Sequence, residues 1–287
     1  MKTKLVVIVG ETASGKSALA MEIARQVSGE IIAADAMTVR REVNIGTAKP
    51  TPKQQSEITH HLLDVVEPCS DFTAAVFKDL TNKAITDISS RGKLPIMVGG
   101  TGLYVDGVIF DFSFMQPGSA EERRALNALS ISELLEKINQ QGIDLTGIDL
   151  QNKRRLIRLL VTGGTRPTSS ELRPSTLIIG LTTSRTKLRQ NIEQRVEQMF
   201  KQGLKREVAE LADKYSWECE ALKGIGYREW QGYFAGMQSG QETKRKIIKS
   251  TLDLAKRQRT WFKRNQSIKW VEDANEAIKL VREFVVN

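Results

Sequence analysis

The clearest chemistry in the chain lies near its start, in Val6-Val7-Ile8-Val9-Gly10-Glu11-Thr12-Ala13-Ser14-Gly15-Lys16-Ser17. Gly10 to Ser17 fits the spacing G-x-x-x-x-G-K-[ST], in which the glycines let consecutive main-chain N–H groups converge on phosphate oxygens. Lys16 brings positive charge to a phosphate, and the Ser17 hydroxyl can ligate Mg²⁺. The helix that begins there points its positive end at the same place. A di- or polyphosphate is the expected ligand. A second group is Asp35, which ends the run Glu30-Ile31-Ile32-Ala33-Ala34. Ligands of open α/β sheets sit beyond the carboxyl ends of the strands, so Asp35 is expected to face the phosphate loop. Its carboxylate could ligate Mg²⁺ or water, act as a general base, or simply cap a following helix. A third is Gly99-Gly100-Thr101-Gly102, where glycines allow close approach of the backbone to a ligand and Thr101 offers a hydroxyl.

These residues need strands behind them. Leu5–Val9, Ile31–Ala34, Leu94–Val98 and Thr176–Leu181 are continuous apolar runs, as strands buried on both faces would be. Helical spacing of apolar residues follows Lys16, covers Ala74–Ile88 behind Asp71 or Thr73 as cap, and continues over Arg185–Gln202. Residues 112–175 change character. Glu121–Gln140 and Asp149–Val161 read as helices, Gly163–Ser170 reads as a loop, and the region reads as a small helical insertion. The expected division is 1–111 with 176–287 as a core of α/β class, and 112–175 as the insertion. Along Lys244–Arg264, Ile247, Ile248, Thr251, Leu254, Ala255, Trp261 and Phe262 fall on one side. Lys246, Lys249, Lys256, Arg257, Lys263 and Arg264 fall on the other.

Composition narrows the class. The 287 residues carry 43 Lys+Arg against 34 Asp+Glu, a formal net charge of +9. That excess suits a polyanionic partner, and its clustering favours a phosphate backbone: Gln241–Asn265 holds nine Lys/Arg and two Asp/Glu. The adjacent His60 and His61 diverge on any regular backbone and are expected to be structural rather than joint metal ligands. Cys69 and Cys219, far apart in the chain, indicate neither a disulfide framework nor a metal cluster. No run has the length of a membrane span. A cytoplasmic monomer is expected.

Taken together the motifs resemble those of the tRNA dimethylallyltransferases, also called tRNA isopentenyltransferases. The resemblance rests on G-E-T-A-S-G-K-S at Gly10–Ser17, A-D-A-M-T-V-R at Ala34–Arg40 and I-G-T-A-K-P at Ile45–Pro50. It continues with H-H-L-L-D at His60–Asp64, V-G-G-T-G-L-Y at Val98–Tyr104 and R-R-L-I-R at Arg154–Arg158. G-Y-R at Gly226–Arg228 and A-K-R-Q-R-T-W-F at Ala255–Phe262 complete it. It spans nearly the whole chain in order. The resemblance implies a P-loop NTPase-like parallel sheet flanked by helices, with a small, mainly helical insertion. It also implies transfer of a dimethylallyl group from its diphosphate to N6 of adenosine 37, beside the anticodon of tRNA. Gly10, Thr12, Ala13, Ser14, Gly15, Lys16 and Ser17 would then hold the diphosphate with Mg²⁺, and Asp35 would be the base, with Thr101 beside it. The tRNA would be met by Asp35, Ala36, Met37, Thr38 and Thr101, by Arg123, Arg154, Arg155 and Arg158, and by Lys256 and Arg257. Four positions depart from the family pattern. Glu11 stands where proline is usual and adds a negative charge expected to disfavour the diphosphate. Ala36, Thr38 and Arg40 replace Ser, Gln and Tyr, and the lost Gln amide removes a group able to read an adenine edge. A relative acting on free AMP, a nucleotide kinase, and a tRNA-binding protein without catalysis are the competing readings.

Overall fold

The structure is a computed structural model that describes residues 3–115, 119–166 and 168–286. Residues 116–118 of the irregular stretch before Glu121, and Pro167 of the Gly163–Ser170 loop, lie outside the described residues. Two compact units are present, Met1–Ile109 with Leu172–Asn287, and Phe110–Glu171.

The first unit is built on a parallel sheet. Its elements in chain order begin with strand β1 (Leu5–Gly10), helix α1 (Lys16–Val27), β2 (Gly29–Ala34), α2 (Pro52–Glu57), β3 (His60–His61), α3 (Ala74–Ser90), β4 (Leu94–Gly99) and α4 (Gly102–Ile109). The second unit interrupts with α5 (Ala120–Ala128), α6 (Ile131–Gln140) and α7 (Lys153–Val161). The first unit resumes with β5 (Thr176–Leu181), α8 (Arg185–Lys201), α9 (Leu204–Lys214), α10 (Gln231–Phe234), α11 (Gly240–Phe262), β6 (Ile268–Val271) and α12 (Ala274–Val286).

The six strands lie in the order β3-β2-β4-β1-β5-β6, and each pairing is parallel. Every residue of β1 and β4 is buried, because helices cover both faces of the sheet centre. Register aligns Val9 with Gly99 and Gly180, and Ala34 with Gly99. The carboxyl ends of β2, β4 and β1 therefore open together. One face packs Leu19, Ile23, Val6, Ile8 and Ile96 with Ile278 and Val281 of α12. A second cluster joins α8, α9 and α11 through Ile192, Val196, Leu204, Val208, Trp230 and Ile247.

Several expectations are refined. The helix read over Glu121–Gln140 is two helices, because Ser130 and Glu133 form a capping box that starts α6 afresh after Leu129. The helix read from Asp149 starts at Lys153, capped by the Asn152 side chain. Thr73, not Asp71, supplies the cap of α3, and Val76 is exposed at its first turn, while Phe77, Ala84, Ile85 and Ile88 enter the core. Strands β3 and β6 have no counterpart in the expected elements. Cys69 and Cys219 form a disulfide, with S–S 2.13 Å and Cα atoms 4.6 Å apart. Separation along the chain does not bear on separation in space, and the Ala221 N–H donates to the Pro68 carbonyl at 3.1 Å between the same two segments.

The histidines are structural. His60 Nδ1 sits 2.7 Å from the Ile58 carbonyl, and His61 Nε2 lies 2.7 Å from Glu30 Oε2. Arg91, Lys93 and His61 together hold the buried Glu30 carboxyl far below the usual carboxylate range, Arg91 contributing most.

Candidate active site

Gly10 opens the phosphate loop with φ 149°, and a Cβ there would come 2.9 Å from the Leu181 carbonyl oxygen. Only glycine fits. Ala13 and Gly15 also take positive φ, 62° and 97°, so the chain curls from β1 into α1 around a concave run of N–H groups. The Ser14 hydroxyl is buried in this loop without a hydrogen-bond partner. Lys16 Nζ donates to the Glu11 carbonyl at 2.6 Å. Burial drives the Lys16 pKa down to about 8, the Arg195 guanidinium adds to the shift, and Asp35 and Glu11 oppose it.

Asp35 follows β2 directly. Its Oδ1 accepts the Met37 and Thr38 N–H groups at 2.8 and 3.1 Å, so one oxygen does perform the capping role. Thr101 Oγ1 accepts the Ala36 N–H at 3.1 Å, which ties the strand ends of β2 and β4 together at the acid. That leaves the Thr101 hydroxyl proton available for another acceptor.

Two cavities meet at these residues. The first, about 380 Å³, lies over Thr12, Ala13, Gly15, Lys16, Ser17, Asp35 and Thr38. The second, about 470 Å³, is walled by Met37, Ile192, Val196, Met199, Ile225, Ile247, Leu254 and Trp261, with Ala36, Thr101 and Arg257 also on its lining. Thr12, Asp35, Thr47, Gly100, Arg195 and Gln258 line both.

The glycines of the G-G-T-G run also make room for a neighbouring helix. A Cβ on Gly100 would meet Gln258 Nε2 at 2.1 Å, and one on Gly102 would meet Trp261 Cδ1 at 2.3 Å. The close approach seen is to α11, and Gly100 and Gly102 also line the second cavity. Gln258 bridges the two loops, accepting the Thr12 N–H at 2.7 Å and donating to the Gly100 carbonyl at 3.0 Å.

Sequence reasoning missed three residues. Arg195 donates to Thr12 Oγ1 at 3.2 Å and to the Thr47 carbonyl at 3.1 Å. Asn191, one turn earlier, donates to the Ala13 carbonyl at 3.0 Å. Both share the inward side of α8 with Leu188, Ile192, Val196 and Met199, and that placement was the available signal. Glu207 accepts the N–H groups of Asn44, Ile45 and Gly46 and the Tyr227 hydroxyl, the last at 2.7 Å. Burial, then the Glu207 carboxylate, push the Tyr227 phenol well above its ordinary pKa, so it remains a donor.

The four departures also find their places. Glu11 does not present an open charge, because Arg259 pairs with it. Arg40 is buried and donates to the Pro68 and Ser70 carbonyls at 2.9 and 2.7 Å, bracing the loop that carries Cys69. The Thr38 hydroxyl is buried without a partner. Ala36 lines the second cavity. Lys49 of the Ile45–Pro50 motif pairs with Asp64 at 2.6 Å and so holds the loop itself. Lys256 and Arg257 are exposed on α11, together with Lys246 and Lys249, and Lys263 and Arg264 are exposed just beyond its end. In the second unit Arg154, Arg155 and Arg158 form the exposed side of α7, opposite buried Leu156, Ile157 and Leu160, while Arg123 on α5 is half-buried. No helix among the described residues is long and apolar enough to cross a membrane.

The description of the IPP transferase family matches residues 38–265. A tRNA dimethylallyltransferase of Geobacillus thermodenitrificans is 39% identical over 95% of this chain and 91% of its own length. One from Streptococcus thermophilus is 40% identical over 95% of this chain and 92% of its own. The crystal structure of the tRNA isopentenylpyrophosphate transferase of Bacillus halodurans superposes with a TM-score of 0.76 at 34% identity, over 99% of this chain and 96% of that one. A eukaryotic dimethylallyltransferase acting on tRNA shares the fold, with a TM-score of 0.85 at 23% identity, over 100% of this chain and 80% of that one. The chain belongs to the IPP transferase family, that of the tRNA dimethylallyltransferases.

Proposed function

We propose that the chain transfers the dimethylallyl group of dimethylallyl diphosphate to N6 of adenosine 37, next to the anticodon of tRNA, giving N6-(dimethylallyl)adenosine. The observation that carries this reading is the meeting of a cavity on the phosphate loop with an apolar one at Asp35 and Arg195. A diphosphate joined to a short hydrocarbon, with a flat base beyond it, matches that sequence of environments.

The loop N–H groups, the Ser14 hydroxyl, Lys16 and Arg195 receive the negative charge that builds on the departing diphosphate. The bond between the allylic carbon and the diphosphate oxygen breaks, and its electron pair leaves with the diphosphate. A new bond forms from that carbon to N6. The adenine amine is a weak nucleophile, so loss of its proton in the same step lowers the barrier. Asp35 Oδ1 is occupied by main-chain donors, and Oδ2 takes the proton. The Thr101 hydroxyl donates toward a ring nitrogen or the forming product and keeps the base in place. Met37, Ile192, Val196 and Trp261 exclude water from the allylic carbon.

Mg²⁺ fits the residues present. Among the described residues no group of three or more His, Cys, Asp or Glu could hold a metal by itself. Mg²⁺ that takes its oxygens from phosphate and water needs no such cage, and the exposed Ser17 hydroxyl is a hard donor at the loop. Ser17 would hold the ion, which would supply further positive charge to the diphosphate.

The exposed cations of α11, and separately those of α7, suit a polyphosphate backbone. The base must be unstacked before its N6 can react, which a single-stranded anticodon loop permits at low cost. A monomer acting on tRNA in the cytoplasm is the corresponding setting.

The test is mass spectrometry of nucleosides from unmodified tRNA incubated with the chain, Mg²⁺ and dimethylallyl diphosphate, with AMP in a parallel incubation. An adduct on tRNA adenosine, absent from AMP and abolished in Lys16→Ala, is expected. An adduct on AMP alone would replace this reading with the free-nucleotide one.

A further inference from the structure

The phosphate loop carries one acidic side chain, and it points away from solvent. Glu11 is 6% exposed. Its main-chain carbonyl accepts Lys16 Nζ, so the residue is part of the surface that orients the loop lysine. A buried carboxylate beside an anion site repels the anion and is itself costly to desolvate. Arg259 of α11 answers both problems. Its Nε lies 2.8 Å from Glu11 Oε1, and its Nη2 donates to Oε2 at 2.9 Å. This is two-point pairing by a planar guanidinium, which neutralises the charge and also fixes the carboxylate plane. The preceding residue of the same helix, Gln258, holds the next loop residue by accepting the Thr12 N–H. Helix α11 therefore grips consecutive residues of the loop, one through charge and one through a neutral amide.

We propose that Arg259 is a positioning residue for the donor's diphosphate, which cancels the negative charge of Glu11 and holds the phosphate loop in its anion-receiving shape. This rests on the reading of the loop as a diphosphate site. Its consequence is an asymmetry between the two substrates. Loss of Arg259 weakens the diphosphate donor, while the tRNA acceptor, which meets other residues, is affected little. Removing the Glu11 charge in the same molecule restores the donor.

Isothermal titration of the full chain with inorganic pyrophosphate and Mg²⁺ tests this, at a temperature below the unfolding onset of every variant. Arg259→Leu is expected to bind pyrophosphate about tenfold or more weakly, from one uncancelled charge near the site. Glu11→Gln with Arg259→Leu is expected to return to within about threefold of the wild type. In turnover, Arg259→Leu raises KM for dimethylallyl diphosphate and leaves KM for tRNA within about twofold. If Arg259→Leu does not fold, Arg259→Gln takes its place in both arms. Unchanged pyrophosphate affinity in Arg259→Leu overturns the proposal. So does equal weakness of the single and double variants, which would make the loss one of packing rather than charge. A wild-type chain that binds no pyrophosphate, and is indifferent to Lys16→Ala, would instead remove the diphosphate reading itself.

Discussion

Lys16 is held at the edge of its charged state. With a pKa near 8 it is half neutral at pH 8, and a neutral amine contributes little to diphosphate binding. Pyrophosphate affinity of the free chain should therefore fall as pH rises above about 8, up to tenfold per unit for a single required proton. Stability moves the other way. The unfolded lysine keeps its proton up to about 10.5, so between about 8 and 10.5 the unfolded chain binds more protons and the Lys16 contribution to stability rises with pH. Comparing wild type with Lys16→Met by pyrophosphate titration and by urea denaturation, from pH 7 to 10, separates the two slopes. Parallel slopes, or no difference between the proteins, would contradict the assignment. At this scale the sequence was informative where a spacing carries its own chemistry, as in Gly10–Ser17. It was silent on Asn191, Arg195 and Glu207, whose main-chain partners lie more than 140 residues away. It could not pair Glu11 with Arg259, which lies 248 residues further along the chain.

Among the elements, α11 touches both loops of the candidate site. It supplies Gln258 and Arg259 to the phosphate loop and Trp261 to Gly102, while Trp261 Nε1 donates to Asp106 on α4 at 2.8 Å. Gly102→Ala puts a methyl group into the Trp261 indole and should cost about 1–3 kcal/mol, as overpacking does. Urea denaturation measures that cost, and turnover should fall as well, since α11 must move away from both loops. An alanine variant with wild-type stability and rate would refute the close-packing account of the G-G-T-G run. Glu207→Gln is a second test, because it removes the charge that gathers three N–H groups of the Asn44–Gly46 turn and the Tyr227 hydroxyl. A loss of about 2–3 kcal/mol by denaturation, with raised KM for tRNA, is expected. The long elements were legible because burial on both faces or on one side leaves a strong pattern, as in β1, β4 and α11. The short β3 and β6 were not: β6 has only Ile268 and Val271 buried, around exposed Lys269 and Trp270. The start of α6 was readable from Ser130 and Glu133, but sustained helical composition on both sides concealed it.

Over the whole molecule, one covalent tie joins distant segments of the first unit. The Cys69–Cys219 disulfide closes a loop of 150 residues and anchors the segment that leads to Ile225 and Gly226 on the apolar cavity. Cys219→Ser should lower stability by about 2–4 kcal/mol under oxidising conditions. Denaturation with and without a thiol reductant checks this: reduced wild type should approach the variant, and equal stability of oxidised wild type and variant would contradict it. In a reducing compartment the same pair would stand as thiols. The net charge of +9 and its clustering on the exposed sides of α11 and α7 were legible. The disulfide was not, since two cysteines carry no information about which loops the sheet brings together. In the proposed reaction Asp35 takes the N6 proton while the phosphate loop holds the leaving group. Single-turnover transfer by Asp35→Asn, with donor and tRNA saturating, tests it most directly. A rate lower by about 10²–10⁴-fold, with pyrophosphate affinity no weaker than that of the wild type, is the predicted result. Transfer within about threefold of wild type would contradict the assignment of the base.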